Sequence, residues 1–343
     1  MKVLLLTALY PTPANAVVGI AVARERRALE GCGVDVDLVH CAPSGRAEWI
    51  APARELRRKV SSGGFDLVHA HYGMRATMLS MLQPLPVVVT YHGTDLNGHP
   101  VGRLRHAHLA AARSLAARLT ARLASSADAI IVMSNEMRAR LPAVAHPRTS
   151  VRPMGVDLAA FRPRPRAAAR QLLGWGAEPV VVVCDGASNP VKNVALAESA
   201  VAHARATHPE LRLFVLRDVA PELVPIVLNA ADALIVTSTR EGSPNIVRES
   251  LASTLPIVSV HVGDIGELLA AAPQAGRIAS PSPAALGSAL CDMLAGPRPA
   301  APDDLVRQFS LDTSTAWLVA LYQRVLAEQA PAGSSVSGPA IAR

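Results

Sequence analysis

The chain has 343 residues, half of them apolar, 18% charged and 3% aromatic, with 27 prolines and 22 glycines. Such a composition buries a sizeable core, which excludes disorder, a collagen-like repeat and a stapled miniprotein, and the prolines and glycines interrupt any sustained heptad. The net charge of +7 is lopsided, since residues 1–160 hold 19 Lys/Arg against 11 Asp/Glu while residues 161–343 hold 15 against 16. The basic half suggests an anionic partner there, a phosphate or a lipid headgroup. Nucleic acid is not expected, because stacking aromatics are scarce and no helix-turn-helix, RNP or zinc pattern appears.

Met1-Lys2 followed by Val3–Leu9 imitates a signal peptide, and Ala14-Asn15-Ala16 imitates its cleavage site. One lysine, a short apolar stretch and Pro11 fit a buried first strand better. No apolar run approaches the roughly 18 to 20 residues of a membrane span. Cys32, Cys41, Cys184 and Cys291 form no CxxC pair, so a reduced, cytoplasmic chain is expected.

Strands are expected at Val3–Thr7, Val34–Val39, Leu67–Ala70, Val87–Tyr91 and Ala129–Met133, each followed by a loop and an Ala/Leu/Arg-rich helical stretch. In one of these, Leu104–Leu123, the leucines Leu104, Leu109, Leu115, Leu119 and Leu123 share a side opposite Arg103, Arg113, Arg118 and Arg122. The expectation is a crossover helix with its leucines in the core. The alternative is a basic amphipathic helix lying on anionic lipid, with Arg54, Arg57, Arg58 and Lys59 adding charge, which would place the chain peripherally at the inner membrane face. Phe161-Arg162-Pro163-Arg164-Pro165 reads as a linker, after which strands recur at Pro179–Cys184, Arg212–Leu216, Ala233–Thr237 and Pro256–Val260. Thr313–Leu326 is an amphipathic helix, and 330–343 a disordered tail. The alternation predicts an α/β protein of two doubly wound parallel-sheet domains, 1–160 and 161–329, facing a cleft.

Of 34 basic residues, only Lys2, Lys59 and Lys192 are lysine. In a chain that uses arginine wherever either would serve, Lys192 suggests a task for a compact ammonium. The richest stretch is Ala233–Glu267. A strand leads into Glu241-Gly242-Ser243-Pro244-Asn245 and then a helix from about Ile246 to Ser253, with Ser243 as N-cap and Pro244 as its first residue. A helix start at the carboxyl end of a parallel strand suits an anion. Glu241 and Glu249 beside it could accept from hydroxyls, which together suggest a nucleotide sugar. A second strand-turn-helix, Pro256 to Glu267, follows.

Glu241 through Glu249 resembles the E-x7-E signature of the retaining glycosyltransferases of family 4. Met154-Gly155-Val156-Asp157 with Phe161 and Pro163 resembles that family's interdomain join. Tyr10-Pro11 to Gly19 with Glu25 to Gly33 resembles its first loop and helix, and Val68-His69-Ala70-His71 and Tyr91-His92-Gly93-Thr94-Asp95 its acceptor-side strands. The resemblance implies a GT-B fold, two Rossmann-like domains, in which the second domain binds a nucleotide-diphosphate sugar. The first would bind a sugar, lipid-linked or small-molecule acceptor. It further implies transfer with retention and no essential metal or other cofactor. Glu241 would bond the donor sugar, with Gly242, Ser243, Pro244, Asn245 and Ile246 giving backbone contacts. Glu249 would hold the ribose, Lys192 the diphosphate, Gly19 a close approach to the phosphates, and His92 the cleft near the transferred sugar. The final helix would cross back to the first domain.

The family's second diphosphate arginine falls at Ala187, so backbone groups of Ser188 and Asn189 or the charge of Arg217 would have to replace it. Two alternatives remain at this stage: a nucleotide-sugar 2-epimerase on the same fold, and a non-catalytic remnant that still binds the donor. His69 and His71 share a strand face and could chelate a metal, but no third ligand is evident, and a metal site is not expected. His106 and His108 read as solvated.

Overall fold

The computed structural model of the chain describes residues 1–13, 15–41, 49–97, 107–186, 188–299 and 301–329. The 330–343 tail, Arg103, Leu104, His106 and Ala187 lie outside them, as do the side chains of His108, Leu109 and Arg113.

The first domain carries β1 (Lys2–Thr7), β2 (Asp35–His40), β3 (Leu67–His71), β4 (Val87–Tyr91), β5 (Ala129–Val132) and β6 (Thr149–Val151), all parallel in the order β2-β1-β3-β4-β5-β6. Among the described residues its helices are α1 (Ile20–Gly31), α2 (Ile50–Ser61), α3 (Gly73–Ser80), α4 (Thr94–Asn97), α5 (Ala107–Ala124) and α6 (Asn135–Ala139). The second domain has β7 (Val180–Cys184), β8 (Arg212–Leu216), β9 (Ala233–Val236), β10 (Ile257–Ser259) and β11 (Gly276–Ile278), parallel in the order β11-β10-β9-β7-β8. Around them lie α7 (Arg166–Leu173), α8 (Val194–Ala204), α9 (Val224–Ala230), α10 (Asn245–Ala252), α11 (Ile265–Ala271), α12 (Pro283–Ala295) and α13 (Asp303–Gln308). The four valines of β7 are buried, as expected for a strand covered on both faces. In each sheet the strand order reverses beside the first strand of its domain, which opens a crevice at the carboxyl ends.

The last helix, α14 (Leu311–Gln329), leaves the second domain and places Leu318, Leu321, Tyr322 and Val325 in the core of the first. The outgoing and returning chains run side by side, with Val156 N–H donating to Phe309 O (2.9 Å) and Leu311 N–H to Val156 O (2.7 Å). Gly155 lies against them, where a Cβ would meet Leu311 Cα at 2.6 Å.

The expectation that the α5 leucines enter the core is corrected. Leu115, Leu119 and Leu123 are 58%, 45% and 37% exposed, and the buried side is Ala117, Thr120, Ala121 and Ala124. The helix lies close against α3 and the sheet, a fit that small residues permit and leucines do not. Tyr91 Oη donates to Thr120 O there at 3.1 Å.

Candidate active site

The cleft between the domains encloses about 410 Å³. On the second-domain side, the end of β9 fixes the Lys192 turn: Thr237 Oγ1 donates to the carbonyls of Lys192 (2.9 Å) and Asn193 (3.0 Å), and Thr239 N–H to Val191 O (2.8 Å). Lys192 Nζ is thereby held 2.7 Å from Glu241 Oε1. Burial, the largest single influence, would lower the Lys192 pKa, but the charge of Glu241, its hydrogen bond and Cys184 together outweigh burial and hold the ammonium above its ordinary range.

The turn after Glu241 departs from the expected cap. Helix α10 begins at Asn245 with Pro244 as N-cap, and no side chain caps it. Ser243 instead meets Arg248, which also pairs with Asp264 at the start of α11, all three buried. The guanidinium is the larger attraction for that hydroxyl, so the first-turn N–H groups of α10 stay available to the cleft. Arg248 and Asp264 were not singled out in the sequence, although they lie within the two loops that were.

Gly242 forms the meeting point of the domains. A Cβ there would stand 2.7 Å from His92 O and 2.8 Å from Met137 Sδ. Gly19 is required for a different local reason: its φ is +74° and a Cβ would strike Leu9 O at 2.3 Å. The tight turn seats Val17 and Ile20 on the cleft wall.

From the first domain, Arg24 on α1 reaches across the cleft, its Nη1 donating to Glu249 Oε1 at 2.9 Å. Its guanidinium also lies over the Phe161 ring, 5.2 Å from the centroid. Burial pushes the Glu249 carboxyl above its ordinary range, and Arg24 opposes that shift. Arg217, the suggested replacement for the absent arginine, is turned elsewhere: its Nε donates to Asp185 Oδ2 at 2.7 Å and holds that carboxyl below the usual range. The cleft therefore carries two cation–carboxylate pairs, Lys192–Glu241 and Arg24–Glu249. Arg24 was missed because it is 225 positions from Glu249; its place shortly after Gly19, at the start of a helix, was the available signal.

His92 lines the same cleft, its ring stacked on Tyr72 at 3.7 Å between centroids. Asp95 shapes the loop by accepting from the N–H groups of His92 (2.9 Å) and Gly93 (2.7 Å). Behind the ring, His92 Nε2 is 3.1 Å from His71 Nδ1, and His71 Nε2 is 3.2 Å from Glu25 Oε1. Glu25 thus supplies the third group that the sequence did not reveal beside His69 and His71, with ligand atoms within 4.8 Å of one another. His69, however, has both ring nitrogens engaged, Nδ1 with Tyr322 Oη (2.5 Å) and Nε2 with Thr90 Oγ1 (2.7 Å). One proton per imidazole satisfies the chain of rings His92, His71 and His69 with Tyr322 and Thr90 as a hydrogen-bond network, which pins the His92 ring from behind, while the buried Glu25 Oε1 makes no hydrogen bond in it. Burial lowers the His69 and His92 pKa values well below the usual imidazole range, and both rings are neutral near pH 7.

Lys192, Glu241, Ser243 to Ile246, Glu249 and His92 thus face one cleft, with Gly242 and Gly19 shaping its walls. Two Rossmann-like domains facing such a cleft define the GT-B fold. In agreement, sucrose-phosphate synthase from Thermosynechococcus elongatus superposes with a TM-score of 0.77 at 19% identity, over 96% of this chain and all of that one. Anabaena Alr3699/HepE, solved in complex with UDP and glucose, gives 0.63 at 15% identity, over 96% and 99%. Residues 15–160 match the model of Glycosyltransferase Family 4, and residues 176–296 that of Glycosyl transferases group 1. TuaC of Bacillus subtilis, named as a teichuronic acid biosynthesis glycosyltransferase, is 23% identical over 78% of this chain and 83% of its own. The chain belongs to the family 4 type of glycosyltransferases.

Proposed function

We infer that the chain transfers a sugar, with retention, from a nucleotide-diphosphate sugar to an acceptor hydroxyl. The observation that carries this reading is the pairing of charges in the cleft. Lys192–Glu241 and Arg24–Glu249 keep every charge partnered. A nucleotide-diphosphate sugar offers each of them a replacement: its phosphates take Lys192 and Arg24, and its sugar and ribose hydroxyls take Glu241 and Glu249. No buried charge is stranded in the exchange.

Charge develops on the departing diphosphate in the transition state. Lys192, Arg24 and the uncapped start of α10 stabilise it electrostatically, so the reading calls for no metal. The leaving phosphate takes the acceptor's proton, and neutral His92 borders the transferred sugar. The acceptor approaches from the first domain and is a sugar, a lipid-linked sugar or a small molecule. The chemistry suits glycan biosynthesis at the cytoplasmic side.

A thermal-shift screen against UDP, GDP, ADP, CDP and TDP and their sugars tests the reading. A ligand at a hundred times its Kd adds about 2.7 kcal/mol of stability. One nucleotide should raise Tm, and its sugar conjugate more so. Glu241→Ala should lose the increment due to the sugar and keep that of the free diphosphate. No shift with any of them, or equal losses for both ligand forms, overturns the assignment.

A further inference from the structure

The outer face of α2, α3 and α5, which lie side by side on one side of the first sheet, has no role in the cleft. Of the twelve large apolar side chains exposed among the described residues, five stand on these helices, Ile50, Met78, Leu115, Leu119 and Leu123, and a sixth, Leu82, stands just past the end of α3. A groove of about 550 Å³ between α2 and α3 is lined by Leu56, Val60, Leu79 and Leu82 and edged by Arg57. Arg54, Arg57, Arg58, Arg118 and Arg122 are exposed among these apolar groups. On the same three helices one acidic residue is present among the described residues, Glu55, and Lys59 lies 3.6 Å from it. On α5 the leucines recur every four residues with arginines three positions on, while alanines and a threonine face the core. This inverts the usual helix, in which the largest apolar residues are buried.

We propose that this face docks on an anionic lipid bilayer, with the leucines of α5 and the α2–α3 groove entering the headgroup boundary and the arginines pairing with lipid phosphates. A leucine stripe flanked by arginines is the pattern of a helix lying in a membrane interface. The charge decides between occupants, because a second copy of the chain packed on the same face would set arginine against arginine, whereas an anionic bilayer neutralises them. No described helix is long and apolar enough to cross a membrane, so the attachment is peripheral. None of these leucines or arginines lines the cleft, and the docking surface stands whether or not the donor assignment holds. With the transferase reading it gives an acceptor carried in the membrane a short path, since α3 begins at Gly73, where the Asp95 carboxylate accepts from its N–H at 3.3 Å, beside His92.

Co-sedimentation of the full chain with phosphatidylcholine vesicles, with and without phosphatidylglycerol, tests the proposal. Binding should require the anionic lipid and weaken with salt. Arg118→Glu with Arg122→Glu should lower partitioning by roughly 30-fold or more, at about five-fold per charge. Leu115→Ser with Leu119→Ser should lower it roughly 100-fold, at about ten-fold per leucine. These side chains are exposed, so unchanged far-UV circular dichroism and nucleotide-induced Tm shifts should accompany the loss. Failure of the wild-type chain to sediment with anionic vesicles overturns the proposal, as does binding that neither pair of substitutions weakens. Sedimentation as a dimer that the leucine pair dissolves, without vesicle binding, makes the face a contact between copies and also overturns it.

Discussion

Replacing Arg24 by methionine keeps a flexible side chain there and removes the charge, and with it both the cross-cleft ion pair and the guanidinium's contact with the Phe161 ring. Arg24 and Glu249 side chains are 20% and 11% exposed, so screening by water is limited. Truncating one partner of a buried pair costs on the order of 3 to 5 kcal/mol when the other stays charged. Glu249 has an escape, which is to take up a proton. From the ordinary value of 4.5, protonation at pH 7 costs about 3.4 kcal/mol at most, at 1.36 kcal/mol per unit. Because burial already raises this carboxyl above 4.5, the ceiling is lower still. At about pH 5.5 the same ceiling falls to about 1.4 kcal/mol. Urea denaturation of the two proteins at both pH values should therefore show a destabilisation at pH 7 that shrinks by up to about 2 kcal/mol at pH 5.5. The sign is fixed, because a variant that folds with Glu249 protonated gains relative stability as pH falls. Equal destabilisation at both pH values would refute the reasoning, since it would mean that Glu249 does not depend on Arg24 for its charge.

Lys192→Ala should weaken nucleoside-diphosphate binding by roughly ten- to a hundredfold and lower turnover with it, read by calorimetry and initial rates; unchanged turnover removes Lys192 from the diphosphate. Gly242→Ala drives a methyl into His92 O and Met137 Sδ, so kcat/KM should fall by roughly ten-fold or more, while global stability changes by no more than about 3 kcal/mol. Wild-type kinetics in that variant would show that the domains need not meet there. The lowered pKa values of His69 and His92 mean that the unfolded chain binds protons below the ordinary 6.5 that the folded chain refuses. Stability is therefore full above that pH and falls below it, by about 1.4 kcal/mol per unit for each group. Thermal unfolding between about pH 7 and pH 5 should follow this slope, and His69→Gln should remove one group's share of it.

The five- and six-residue strands were legible because parallel strands read as unbroken apolar runs; the fully buried Val87–Tyr91 and the partly buried edge strand Arg212–Leu216 end where the sequence placed them. The short ones were not. Thr149–Val151 and Gly276–Ile278 are three-residue edge strands whose apolar run is too brief to register. On α5 the period was right and the buried side wrong: hydropathy favours leucine, but close helix packing selected alanine and threonine. In the cleft, Lys192, Glu241 and Glu249 were visible as motif residues on one domain. Arg24 and the Glu25–His71–His92 chain were not, because each is made by elements that adjoin only through folding. Ser243 was read as a cap by residue type, and the buried Arg248 guanidinium claims it instead.

The return of α14 has a mechanical consequence. The chain passes between the domains twice, and the two passages are tied together at Val156 with Phe309 and Leu311, with no space for a side chain at Gly155. A single linker swivels freely, whereas two strands pinned side by side behave like a door hung on its full edge. Opening and closing about that edge is soft, and twist or lateral slip is stiff. Lys192 and Glu241 then return to the same place opposite Arg24 and His92 on every closure.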